Sequence, residues 1–116
     1  MAELRALAEA AAGVRLQREA KEKAQQQAEL RRQREDQLRR LAANIEEHWT
    51  AIDRQAERGT ASGYDEAARA LADMAEASTL TSSREAFDRA LRRFMVRHAK
   101  RSALVRRLVK AGLWQA

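Results

Sequence analysis

Apolar side chains recur every three or four positions through the second half of this chain and thin out in its first third. Residues 38–56 place Leu38, Leu41, Ile45, Trp49, Ile52 and Ala56 in one register, with His48 beside Trp49. At about 100° per residue, that spacing gathers side chains on a single helix face. The same period returns in Tyr64, Ala67, Ala68, Leu71, Met74 and Ala75, and again in Phe87, Leu91, Phe94, Met95 and His98. A last, shorter stripe holds Leu104, Val105, Leu108 and Val109. Four amphipathic helices are therefore expected, over about 38–58, 63–78, 83–99 and 102–111.

Punctuation between the stripes agrees. Gly59 stops the first helix, and Ser62 with Asp65 reads as a cap signature for the second. Residues 78–81 read as a loop, and Ser82 with Glu85 as a capping box for the third helix. Gly112 stops the fourth, with Leu113 placed to fold back on its last turn. Short connections of this kind join antiparallel neighbours around one core. The expected fold is all-α: a small antiparallel helical bundle over residues 38–116, with a long, partly projecting N-terminal helix.

That N-terminal segment, residues 1–37, reads as a charged helical arm. Leu4, Leu7, Ala11 and Val14 form a short heptad-like seam that breaks at Arg18. Residues 15–37 are almost wholly Lys, Arg, Glu, Gln and Ala. A helix polar all round needs its own ion pairs or separate bodies to bridge, and Glu19/Lys23 and Glu35/Arg39 have the i,i+4 spacing for such pairs. The helix is expected to run without a break from this arm through to Gly59.

Composition narrows the class. The chain has 116 residues, no Pro, no Cys and only 4 Gly, which fits one helical domain without disulfides or thiolate metal sites. No apolar run approaches the roughly 18 residues of a membrane span. The first residues lack the basic-then-apolar pattern of a signal peptide, so a cytoplasmic location is expected.

Charge changes the picture more. Residues 1–45 carry a net +3, residues 46–79 a net −5, and residues 80–116 a net +8. Like charges at Arg89/Arg93 and Arg93/Arg97 repel by roughly 0.2–0.5 kcal/mol each. A helix that only needed solubility would mix its signs. The uncompensated cations point to an anionic partner. The candidate nucleic-acid contacts are Arg89, Arg92, Arg93, Arg97, Lys100, Arg101, Arg106, Arg107 and Lys110. Trp114, Arg31, Arg32 and Arg39 are candidate partner contacts. Trp114 either covers the edge of the bundle or anchors in a partner.

Catalytic chemistry is not expected. His48 and His98 sit on or beside apolar stripes, with no second His or Cys at ligand spacing. Glu46-Glu47-His48 lacks the paired histidines of a zinc-protease helix, and no Gly-rich phosphate loop is present. Asp65, Glu66, Ser82 and Ser83 are accounted for by helix starts. No metal or cofactor is expected.

Tyr64-Asp65-Glu66-Ala67 with Leu71, then Phe87, Leu91, Arg97-His98, Leu104, Leu108 and Ala111-Gly112-Leu113, resembles the C-terminal helical region of bacterial SWIM zinc-finger proteins. The resemblance covers about residues 35–113. It implies a helical interaction region of a larger nucleic-acid- or protein-binding system. The zinc site of that family needs Cys ligands, which this chain lacks, so zinc does not carry over. In architecture alone, a small basic helical chain also resembles the small subunits of CRISPR effector complexes.

The expected function is a non-catalytic accessory subunit that contacts nucleic-acid backbone within a larger complex. The alternative is a protein–protein adaptor that docks an acidic partner. Partners are thus nucleic acid, a protein assembly or both, with self-association open and no membrane. Scarce aromatics argue against base stacking, so contact would be to phosphates and indifferent to sequence.

Overall fold

The computed structural model describes residues 2–115. Five helices follow in order: α1 (Ala2–Ala43), α2 (Ile45–Glu57), α3 (Ala61–Leu80), α4 (Arg84–Arg97) and α5 (Ser102–Lys110). No strand occurs among the described residues, and the fold is all-α. The chain divides into two units, one ending at residue 34 and one beginning at residue 35.

The first unit is helical and largely exposed. The seam leucines Leu4 and Leu7 are 72% and 68% exposed, so no neighbour within the unit covers them. Neither Glu19/Lys23 nor Glu35/Arg39 closes as an ion pair. Glu29 pairs with Arg32 at 2.6 Å, with Gln33 Nε2 also donating to Glu29 at 3.3 Å. Glu29 thus serves two neighbours on one helix face.

The second unit corrects the expectation of one unbroken helix up to Gly59. α1 stops at Ala43 and α2 starts at Ile45. The cause is Asn44, whose backbone sits at φ −119° and ψ 33°. Its amide side chain donates back to the Arg40 carbonyl at 3.1 Å, and its backbone N–H turns to Leu41 O. Asparagine competes with the helix for backbone partners in this way.

α2 and α3 form a tight hairpin. Gly59 takes φ +67° after the end of α2, and Thr60 caps α3. The Thr60 hydroxyl accepts from Gly63 N–H at 3.0 Å. The cap is therefore Thr60 and not the expected Ser62, which places the helix start two residues earlier. Gly63 is where the two helices nearly touch: a Cβ there would lie 2.5 Å from the Gln55 carbonyl oxygen.

The turn between α3 and α4 also departs from expectation. Ser82 does not cap α4; it adopts φ 57°, the left-handed conformation that glycine prefers. It closes a Schellman motif on α3, with Ser83 N–H donating to Ser78 O at 2.8 Å and Ser82 N–H to Thr79 O at 3.3 Å. Ser83 stands at the α4 N-cap but makes no capping bond; its hydroxyl lies 2.9 Å from that of Thr81. The backbone strain of Ser82 is releasable. Ser82→Gly should raise stability by about 0.5–1 kcal/mol, read as a later urea midpoint. At the end of α5 the expected motif is present: Gly112 has φ +75°, and Leu113 N–H donates to Leu108 O at 2.9 Å.

The core draws on α2 to α5. Trp49 stacks on Phe87 at 5.7 Å between ring centroids and tilts against Phe94 at 5.9 Å. Ile52, Leu71, Met74, Leu91, Leu104 and Leu108 are buried with them, and Leu38 near the end of α1 is buried too. Trp49 faces Phe87 and Phe94 while Asp53, one turn on, faces Arg97 and His98, so α2 and α4 run the same way. α3 runs against them. Ser78 is fully buried, and its hydroxyl has no hydrogen-bond partner. A buried hydroxyl left unpaired costs about 1–3 kcal/mol. Ser78→Ala should therefore stabilise the unit by about 1 kcal/mol, measured by the same urea titration.

Candidate anion-binding face

The nine candidate cations separate into two sets. Arg97, Arg101 and Arg107 are tied into the fold. Arg97 Nη2 donates to both oxygens of Asp53, at 3.0 and 3.1 Å. Asp53 also lies 2.8 Å from Nε2 of His98, whose ring is only 4% exposed. Arg101 Nε donates to Nδ1 of the same imidazole at 3.2 Å. An arginine N–H requires an acceptor, so Nδ1 is unprotonated and the ring proton sits on Nε2, donated to Asp53. His98 is thus held by a polar chain that links α2 to the α4–α5 turn. Arg107 bonds Asp65 at 2.6 Å and the Ala103 carbonyl at 2.9 Å, and lies over the Tyr64 ring. Tyr64, expected in the core, is half-buried under that guanidinium.

The other six are Arg89, Arg92, Arg93, Lys100, Arg106 and Lys110. All are exposed, and among the described residues none pairs with a carboxylate. Helical phase places five of them, and Lys100 lies on the turn between α4 and α5. With Phe87, Leu91, Phe94 and Met95 turned inward, Arg89, Arg92, Arg93 and Val96 fall on the outward face of α4. With Leu104 and Leu108 inward, Arg106 and Lys110 fall on the outward face of α5. The acids nearby do little to neutralise them: Asp88 is taken by Arg84 at 3.1 Å, and Glu85 stands at the first turn of α4.

The four candidate partner residues are divided between the two units. Arg31 and Arg32 belong to the first unit, and Arg32 is paired with Glu29. Arg39 and Arg93 line one groove of about 560 Å³ between the last turns of α1, the start of α2 and α4. Its other walls include Ile45, Trp49 and Phe87, together with the exposed acid Glu46. Trp114 packs against the outside of the core and leaves part of its ring on a second groove beside α4.

Sequence reasoning passed over the Asp53 network. The available signal was His98 itself: an imidazole at the end of an apolar stripe needs a polar partner once buried. Neither histidine has the surroundings of a metal ligand, and no group of three or more His, Cys, Asp or Glu side chains is poised for a metal among the described residues. Nor is any described helix long and apolar enough to cross a membrane. No protein-family model matches this chain, and neither does any curated protein or solved structure.

Proposed function

We propose that this chain is a non-catalytic accessory module that contacts nucleic-acid backbone, within a larger assembly, through the outward faces of α4 and α5. The observation that carries this reading is the set of six exposed cations without a carboxylate partner. Clustered cations of one sign repel one another unless an anion sits between them. Phosphate is the anion that repeats along a surface in the same way. Trp49, Phe87 and Phe94 are committed to the core, which leaves no row of aromatic platforms for bases. Contact would therefore be electrostatic and indifferent to sequence.

The test is a salt titration with single- and double-stranded DNA and RNA. Affinity should fall linearly on a log–log plot, with each neutralised duplex phosphate contributing a slope of about −0.9. Arg89→Glu with Arg93→Glu should weaken binding about tenfold and flatten the slope. Arg97 is the wrong residue to reverse, because its loss would disturb Asp53. A slope near zero, or no response to the Arg89/Arg93 reversal, would favour the adaptor instead.

A further inference from the structure

The outward face of α4 is not uniformly polar. Val96, in the last turn of α4, is 79% exposed on it, although Arg or Gln would serve a phosphate-binding or solvated helix better there. Beside Val96 lies a groove of about 420 Å³, bounded by Met95, Ala99, Val105 of α5 and the ring of Trp114. Among the described residues, Arg92 is the one charged side chain that lines it, and no acid does. Arg89 stands one turn before Arg92 on the same face, and Arg106 follows Val105 directly. Both belong to the unpaired set.

We infer that this groove receives an acidic amphipathic helix of a partner protein. The occupant's apolar stripe would lie on Val96, Val105 and Trp114, and its carboxylates would meet Arg92, Arg89 and Arg106. The argument is one of complementarity. An apolar floor offers phosphate nothing, and a basic rim repels a basic helix, so a partner with Leu-type anchors flanked by Glu or Asp satisfies both. Helix-in-groove docking is the mode that an all-helical surface without a free strand edge supports. Trp in such a position is the kind of residue that concentrates binding energy. The inference goes beyond the nucleic-acid reading: it shares Arg89, Arg92 and Arg106 with that reading and rests in addition on Val96, Val105 and Trp114, which that reading does not use.

The full chain is titrated with a labelled helical peptide of roughly 18 residues that repeats Leu at i, i+4 and i+7 among Glu. Three further probes are the same peptide with Leu replaced by Ser, the same peptide with Glu replaced by Lys, and a single-stranded oligonucleotide. The Leu/Glu peptide should bind at least about tenfold more tightly than either altered peptide. Val96→Gln, at an exposed helical position, should keep the fold and weaken the Leu/Glu peptide by about tenfold while leaving oligonucleotide affinity unchanged. Trp114→Ala should weaken the peptide as well. Equal binding of the Leu and Ser peptides would overturn the inference, as would indifference to Val96→Gln. So would an equal loss of oligonucleotide binding in Val96→Gln, which would assign the groove to nucleic acid. If instead the peptide results hold while Arg89→Glu with Arg93→Glu leaves oligonucleotide binding intact, the nucleic-acid reading falls and the groove stands.

Discussion

Asp53→Ala should lower the stability of the second unit by about 2–3 kcal/mol. Most of that loss comes from His98. Its Nε2–H is buried, and Asp53 is its acceptor at 2.8 Å. Truncation leaves the donor unpaired in the interior, with its desolvation uncompensated, which costs about 1–3 kcal/mol. The Arg97 contact adds less, because Arg97 is 48% exposed and solvent screens the pair. Asp53→Asn separates the contributions. It keeps an oxygen that can accept from His98 but removes the charge, so its loss should be about 1 kcal/mol. Urea titration reads both: the midpoint should fall, further for Ala than for Asn, with an unchanged slope. Equal midpoints for Ala and wild type would mean that the network is not structural.

Gly63→Ala is the second large effect, at about 2–3 kcal/mol destabilising. On propensity alone, alanine should improve a helix by about 1 kcal/mol over glycine. Here the added methyl would lie 2.5 Å from the backbone oxygen of Gln55 and 3.0 Å from the Thr60 hydroxyl. The first neighbour is main chain in the last turn of α2 and cannot rotate away. The second is the α3 cap, which bonds the N–H of Gly63 itself. Relief therefore means spreading α2 from α3 or giving up the cap, and overpacking plus cap loss exceeds the gain in propensity. Ser62→Ala is the control: Ser62 is exposed, and its hydroxyl lies 3.4 Å from Thr60 Oγ1. It should behave like wild type. If Gly63→Ala instead melts at the wild-type temperature or above, the α2–α3 approach is not as close as described.

The four stripes were legible because each helix of the second unit buries one face, and burial of one face imposes the 3.6-residue period. Gly112 with Leu113 was legible because a left-handed residue and a returning apolar one are both visible as residue types. The caps at Thr60 and Ser82 were misread for a shared reason: each lies among Ser, Thr or Gly neighbours, and only the path of the chain decides which side chain closes a local bond. Asn44 was passed over because a single Asn inside an otherwise helical run carries no periodic signal. The candidate face was legible as charge but not as pairing. Arg97 and Arg93 are the same residue type on the same helix, one turn apart. Asp53, 44 positions away, removes Arg97 from the available set, and no periodicity reports a contact over that separation. The groove beside Val96 was hidden for the same reason, since Val105 and Trp114 reach it from beyond the α4–α5 turn.

The two indoles of this chain occupy different environments. Trp49 is enclosed between Phe87 and Phe94, while Trp114 borders the open groove. Fluorescence should therefore resolve into two components without any attached dye: an inner emitter whose large shift comes when the chain denatures, and an outer one that shifts when the groove beside Val96 is filled. Trp114→Phe isolates the first signal and Trp49→Phe the second, so loss of structure and arrival of a ligand become optically separable in the same cuvette.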